Sequence, residues 1–163
     1  MSDDAFPEEV ARLVREYVED RHDFLSWLNA SVERIDSGLV VMSVPYDEKL
    51  TNRPPGWGPS SEGGTPSMHG GVAATLIDTA GGIAQRTTLS TPLAGGVVTV
   101  NLNVNYLRRA TGDLTATAEV VRAGNTVGVS TVTVEGPTPE GGREPVATGQ
   151  GAYRLFQSPR EES

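Results

Sequence analysis

The stretch from residue 65 to residue 110 constrains the fold of this chain more than any other part of it. It opens with a loop that ends in the tripeptide HGG at positions 69–71. Apolar residues then recur with the spacing of one helix face: Val72, Leu76, Ala80 and Ile83. After Pro92 and a pair of glycines, residues 97–106 alternate in the manner of a strand. The segment therefore predicts a helix that begins near residue 70 and a long strand that follows it.

Asp78 is the one ionisable side chain of this predicted helix before its last turn. On helical spacing it shares a face with Gly71, Thr75 and Gly82, whereas Val72, Leu76 and Ile83 are expected to point elsewhere. The two glycines in the middle of the helix each cost about 1 kcal/mol relative to alanine. We therefore expect another part of the molecule to approach this backbone closely, on the side that carries the carboxylate.

The rest of the chain predicts an α+β domain. Residues 7–28 form an amphipathic helical stretch, residues 30–46 a hairpin around Asp36-Ser37-Gly38, and residues 95–107, 113–123, 126–135 and 145–156 four strands. An antiparallel sheet wrapped around one long helix is the simplest way to bury that helix. We assign residues 1–28 to an N-terminal helical extension, 29–157 to the main domain and 158–163 to a frayed tail.

Composition excludes several classes of function. The net charge is −8 and Lys49 is the single lysine, which argues against a nucleic-acid-binding face. The chain has no cysteine and two isolated histidines, so it predicts no disulfide and no metal site. No apolar run reaches the ~20 residues of a membrane span, and the acidic start lacks the features of a signal peptide. We expect a cytoplasmic protein without membrane contact; its acidity fits either a high-salt cytoplasm or an ordinary acidic protein.

The central motifs together resemble one family. HGG, an Asp eight positions after its first glycine, and a strand that ends in NVNYLRRA are similar to the hotdog-fold acyl-CoA thioesterases, in particular the phenylacetate-pathway group. The resemblance covers about residues 40–155. It implies a homodimer, or a dimer of dimers, that hydrolyses an aryl- or medium-chain acyl-CoA. It implies no cofactor, because coenzyme A is part of the substrate.

The resemblance also implies catalytic roles. Asp78 would act as general base or nucleophile on a thioester bound largely by the other subunit. The N–H of Gly70 would donate to the developing oxyanion, a role that helix N-termini also favour on physical grounds. Asn52 would orient the thioester or water, and Thr99 would position the attacking water. His69 would mainly hold the loop.

Substrate-binding residues are predicted around the same helix start and at two strand ends. Gly71, like Gly70, lets an acyl group approach the backbone because it has no Cβ. Arg108 and Arg109, with Arg122, Gly124 and Asn125 at the next hairpin, are candidates for the phosphates of coenzyme A. A solvated charge is the competing interpretation of each arginine. Residues 53–64, rich in Pro, Gly and Ser, are expected to form an insertion that acts as a flap.

Two other functions stay open at this stage. One is a non-catalytic acyl-CoA sensor, which would keep the glycines and the pocket without needing Asp78. The other is a hotdog dehydratase or hydratase, although this chain has no Asp before His69 in the arrangement those enzymes use. The sequence does not specify the acyl group, the pathway or the way in which dimers stack.

Overall fold

A computed structural model describes residues 6–53 and 64–158. Its N-terminal part consists of helix α1 (Glu8–Glu16), a π-helical turn (Tyr17–Arg21) and the short helix α2 (Asp23–Trp27). The apolar side of this segment is buried through Ala11, Val14 and Val18, which belong to the main hydrophobic core. The amphipathic pattern of residues 7–28 therefore forms helices that pack onto the domain. None of the described helices is long and apolar enough to cross a membrane.

The described strands form one six-stranded antiparallel sheet. The strands are β1 (Ser31–Asp36), β2 (Leu39–Val44), β3 (Gly96–Tyr106), β4 (Leu114–Ala123), β5 (Val127–Pro137) and β6 (Arg143–Phe156). Their order in the sheet is β1-β2-β4-β5-β6-β3. The chain turns from β1 to β2 at Gly38, which has the positive φ of +75° that glycine adopts without strain. In the strand order given above, β3 lies at one edge of the sheet, beside β6.

Helix α3 (Gly70–Arg86) crosses one face of this sheet and contacts β2 through β6. Its buried side includes Ala73, Leu76, Ile77, Ala80 and Ala84. The predicted apolar face is confirmed at Val72, Leu76 and Ala80, which are buried. Ile83 is half-buried against the same core, and it also lines the same cavity as Asp78, from which it was expected to point away. Small residues dominate the buried side, so the helix lies close to the sheet. The predicted sheet packed on one long helix is confirmed.

A β-bulge interrupts β3 next to Thr99. In the register with β6, Thr99 pairs with Tyr153 and Asn101 with Ala152, so Val100 is the extra residue. Because side chains alternate along a strand, the bulge changes which positions face the helix. Thr99 faces α3 before the bulge, and Leu102 and Val104 pack on the core after it. The alternating sequence of residues 97–106 predicted the strand but not this shift.

The predicted flap and tail lie almost entirely outside the described residues. Of the flap, residues 54–63 are not described; of the tail, residues 159–163 are not. A short 3₁₀ turn (Glu48–Leu50) leads from β2 to Asn52, and Thr51 forms an isolated bridge with Met68 just before α3. Thr51, before the undescribed residues, and Met68, after them, thus lie side by side next to the start of α3.

Candidate active site

Asp78 and Thr99 form the polar centre of the candidate site. Asp78 lies half-buried in the middle of α3, and the Thr99 hydroxyl donates a hydrogen bond of 2.6 Å to its Oδ1. Thr99 comes from the edge strand β3, 21 positions away in sequence. Within residues 6–53 and 64–158, no second hydrogen bond reaches this carboxylate, so its other oxygen is available to another donor. The sequence predicted both residues for the site, and the structure brings them together.

A cavity of about 470 Å³ adjoins this pair. Asp78, Thr79 and Thr99 supply much of its polar lining, and Arg86 lies at its wall with its guanidinium bonded to the carbonyls of Pro92 and Gly95. The apolar lining comes from the N-terminal segment, α3 and the chain that leads into β3: Leu13, Val14, Tyr17, Val18, Leu25, Ile83, Leu93 and Val97. An apolar group with one reactive polar end fits such a cavity.

The contribution of the N-terminal segment was missed at the sequence level. Its amphipathic pattern indicated burial, and the segment does pack onto the core through Ala11, Val14 and Val18. In addition, Leu13, Tyr17 and Leu25 line the Asp78 cavity. The π-helical turn begins at Tyr17, and turns of this kind are frequent at functional sites. Which surface an amphipathic helix covers is not encoded in its own spacing.

The start of α3 is held by local hydrogen bonds. His69 is the N-cap residue, and its Nδ1 accepts from the N–H of Gly71 at 2.9 Å. This bond agrees with the positional role expected for His69, and it occupies the Gly71 donor. As the first helical residue, Gly70 has an N–H without an intrahelical acceptor. Because the Gly71 N–H is bonded to His69, Gly70 is the candidate oxyanion donor of the two glycines.

Tyr106 covers one side of Gly70. Its hydroxyl donates to the Gly70 carbonyl at 3.1 Å, and a Cβ on Gly70 would lie 2.9 Å from the tyrosine ring. Glycine at position 70 thus has a packing reason in addition to the predicted oxyanion role. Tyr106 as a residue is 57% exposed, so its side chain has room to move.

Asn52 lies beside the same turn. Its backbone N–H donates to the carbonyl of Ser67 at 3.0 Å, and its side-chain Nδ2 lies 3.5 Å from the carbonyl of Met68. The second contact is at the limit of a hydrogen bond. Asn52 is exposed and lies beside Met68, the residue that precedes His69.

Arg108 and Arg109 line a second cavity, of about 420 Å³, together with His69 and Gly70. Arg108 forms an ion pair with Glu144, and Arg109 donates to the carbonyl of Thr65 at 3.2 Å. Both arginine side chains are exposed. The structure thus places two predicted phosphate ligands next to the predicted oxyanion donor.

Arg122, Gly124 and Asn125 lie apart from this group. They form the β4–β5 hairpin, where the Gly124 N–H donates to the Val127 carbonyl at 2.9 Å. Among the described residues, the lining of the Asp78 cavity and that of the Arg108 cavity include none of the three. Their predicted contact with coenzyme A would therefore need a ligand that extends beyond both cavities, or a second subunit.

Asp78 and Gly70 are too far apart for one helix to use both on one carbonyl. Eight residues separate them within α3, and a rise of about 1.5 Å per residue gives about 12 Å. They also line different cavities. Asp78 and Gly70 of one chain therefore lie at two different cavities.

The sheet order, the long helix against its face and the glycine-led start of that helix define a hotdog-fold protein. A family model described as "Thioesterase superfamily" matches residues 66–141, the part that carries HGG, Asp78 and Thr99. This chain belongs to the thioesterase superfamily.

Known relatives agree with this assignment. A protein of Halobacterium salinarum named "Putative esterase" is 48% identical over 152 residues, which cover 92% of this chain and 95% of that protein. Among solved structures, a thioesterase family protein from Silicibacter pomeroyi superposes with a TM-score of 0.74 at 26% identity, covering 91% of this chain and 98% of the other. Zebra fish thioesterase superfamily member 2 superposes with a TM-score of 0.67 at 25% identity, covering 90% and 96%.

Proposed function

We propose that this protein is an acyl-CoA thioesterase that hydrolyses aryl- or medium-chain acyl-CoA to the free acid and coenzyme A. The observation that carries the proposal is the Asp78 carboxylate, bonded to Thr99, at the wall of an apolar cavity. A solvated aspartate on a helix surface would not need an apolar cavity beside it. A carboxylate beside a bound acyl group can act on its carbonyl carbon.

Thioester hydrolysis requires an activated oxygen nucleophile and a hydrogen-bond donor for the oxyanion that develops. As general base, Asp78 takes a proton from water while the water oxygen attacks the thioester carbonyl carbon. The carbon–sulfur bond then breaks, and the proton passes to the departing thiolate, which leaves as coenzyme A. As nucleophile, Asp78 itself attacks the carbonyl carbon, and the carbon–sulfur bond breaks to release coenzyme A as thiolate. Water then hydrolyses the resulting mixed anhydride to the free acid and the Asp78 carboxylate, and the proton released goes to the thiolate. Thr99 supports both routes, because its hydroxyl fixes one carboxylate oxygen.

The oxyanion donor in this proposal is the Gly70 N–H of a second subunit. Within one chain about 12 Å separates Gly70 from Asp78, whereas a bound carbonyl must lie within about 3 Å of its donor. A partner chain can supply the missing half of each site. The proposed enzyme is therefore a homodimer, alone or as half of a tetramer.

The edge strand β3 is the proposed dimer contact. Val98 and Val100 on this strand are 55% and 63% exposed, and an unpaired edge with exposed apolar side chains favours pairing with another strand. Thr99 lies between them, so a partner at this edge would lie next to the Asp78 carboxylate. Pairing of two β3 strands would thus bring the second subunit to the site.

In the proposed complex, Arg108 and Arg109 contact the phosphates of coenzyme A near the helix start. Guanidinium groups suit phosphate because they donate paired hydrogen bonds. Arg108 would exchange its exposed bond to Glu144 for the ligand, a small cost at the protein surface. A local pair of arginines can thus bind an anion although the chain carries a net charge of −8.

The test of the function is release of free thiol from a panel of acetyl-, hexanoyl-, octanoyl-, benzoyl- and phenylacetyl-CoA. We expect turnover with the medium-chain or aryl members, because the cavity lining is largely aliphatic with one tyrosine. Absence of turnover with every member, together with micromolar binding by calorimetry, would replace the enzyme with an acyl-CoA sensor. Absence of both would reject acyl-CoA as the ligand.

Leu13→Trp is expected to shift the preference toward short acyl groups. Leu13 lies on α1 and lines the Asp78 cavity, so the larger side chain would occupy space needed by a longer chain. Because a single methylene in an apolar pocket changes kcat/KM by roughly 10–200-fold, the kcat/KM ratio of octanoyl- to acetyl-CoA should fall at least about tenfold.

Arg12→Trp is the matched control, since the neighbouring residue Arg12 is exposed, does not line this cavity and pairs with Glu16. It should leave the octanoyl-to-acetyl ratio unchanged. An unchanged ratio in Leu13→Trp as well would place the acyl group outside this cavity.

A further inference from the structure

Tyr153 is fully buried beneath Asp78. It lies on β6, where it pairs with Thr99 of β3 on one side and with Gly128 of β5 on the other. Its hydroxyl donates to the backbone carbonyl of Asp78 at 3.2 Å. Neighbouring residues of one sheet row thus bond to the same aspartate, Thr99 at the carboxylate and Tyr153 at the main chain.

Glycines surround the Tyr153 hydroxyl. A Cβ on Gly81 of α3 would lie 2.2 Å from this oxygen, and a Cβ on Gly151 of β6 would lie 2.3 Å from it. A Cβ on Gly82 would lie 3.4 Å from the ring, which is an ordinary contact. Of the two helix glycines, Gly81 is thus the one that the hydroxyl requires. The Tyr153 oxygen occupies the space that a Cβ at position 81 would need. This explains why the helix has a glycine there, although glycine in mid-helix costs about 1 kcal/mol.

The hydroxyl is suited to act as a permanent donor. Burial and the negative charge of Asp78 both raise the pKa of Tyr153 above its ordinary value, so the group stays protonated at neutral pH. Within α3, the Asp78 carbonyl already accepts the helical hydrogen bond from the backbone N–H four residues later. This carbonyl therefore has a hydrogen bond without Tyr153. The added bond from the tyrosine hydroxyl instead fixes the α3 backbone at Asp78 against the sheet.

We propose that Tyr153 is a positioning residue that holds the α3 backbone at Asp78, so that the carboxylate reaches both Thr99 and the bound thioester. The proposal rests on the proposed function. Thr99 restrains the carboxylate alone, whereas Tyr153 restrains the helix position from which the side chain extends. Small displacements of a catalytic group are costly, since a misplacement of about 1 Å can lower a rate by about 10²-fold.

The decisive variant is Tyr153→Phe, which keeps the ring and removes the hydroxyl. We expect kcat for the best substrate of the thiol-release panel to fall roughly tenfold with KM changed less than about twofold, the pattern of an interaction that acts in the transition state. Ser130→Ala is the matched control. Ser130 is also buried and donates its hydroxyl to an α3 carbonyl, that of Gly81, at 3.1 Å.

The control separates positioning from general support of the helix. Ser130→Ala should lower the free energy of unfolding at least as much as Tyr153→Phe, because Ser130 also accepts from buried Gln85 at 2.9 Å. It should leave kcat within about twofold of the wild type. Equal kcat in wild type and Tyr153→Phe, or equal losses in both variants, would overturn the proposal.

A structural measurement keeps the inference testable if no acyl-CoA is hydrolysed. In a crystal structure of Tyr153→Phe, we expect the Asp78 carboxylate to have shifted and its bond to Thr99 to be longer or lost. An unchanged Thr99–Asp78 distance would refute the positioning role. Absence of turnover by the wild type would instead reject the thioesterase proposal alone.

Discussion

Replacement of Asp78 with asparagine is expected to lower thioester turnover at least a hundredfold. Asparagine keeps the size of the side chain and can still accept the bond from Thr99, but it can neither take a proton from water nor attack a carbonyl. General acid–base groups contribute ~10²–10⁴ to a rate, which sets the expected loss. The measurement is kcat for the acyl-CoA with the highest turnover, obtained by monitoring the release of free thiol.

Asp36→Asn is the control for this loss. Asp36 is the last residue of β1, which forms the opposite edge of the sheet from β3. Its carboxylate accepts a hydrogen bond from Arg34 at the surface. Because exposed ion pairs contribute little, the variant should turn over substrate at the wild-type rate. If Asp78→Asn did the same, the carboxylate would have no part in the mechanism and the proposed function would lose its main support.

Gly70→Pro is expected to lower kcat by about 10²–10³-fold, the effect of removing one oxyanion donor. Proline has no N–H, yet it is well tolerated at the first position of a helix, where Gly70 lies. The preceding residue must then be extended, and His69 already has φ −59° and ψ 135°. The substitution therefore removes the donor while the backbone keeps its conformation.

Gly70→Ala shows how much of any loss comes from bulk. Both variants add a Cβ, which would lie 2.9 Å from the ring of Tyr106, but alanine keeps the N–H. We expect Gly70→Ala to retain most of the activity, since the exposed Tyr106 side chain can move aside. Equal losses in the two variants would attribute the effect to crowding and remove Gly70 from the oxyanion role.

Mixed dimers test whether the two groups act across subunits. Asp78→Asn and Gly70→Pro are each expected to be nearly inactive alone. After the two are unfolded and refolded together, a hybrid dimer would contain one site with both groups intact, so roughly a quarter of the wild-type activity should return if subunits associate at random. No recovery, with hybrid dimers demonstrated by mass, would reject a site that combines Asp78 of one subunit with Gly70 of the other.

Local pattern was enough to predict the elements that hold the site. The helix start at HGG, the single carboxylate of α3 and the glycine turn at Gly38 each depend on residues close in sequence, and the structure has them where they were predicted. Thr99 and Asp78 were each named, the former from a resemblance. Their contact could not be derived, because 21 positions separate them and the register of β3 against the helix depends on a bulge.

Other parts of the site depend on how the elements pack. The sequence showed that residues 7–28 have an apolar side, but only the packed structure placed Leu13 and Tyr17 against the Asp78 cavity. It showed two glycines in mid-helix, but not that the hydroxyl of Tyr153, 72 positions after Gly81, fills the space beside one of them.

The sequence by itself thus determined where the helix begins, which face carries the acid and which runs form strands. These properties follow from backbone preference and from side-chain periodicity over a few residues. The tertiary structure alone decided which side chains surround the acid and which bond fixes its backbone. Such contacts join residues far apart in the chain, and they exist only once the helix lies on the sheet in one register.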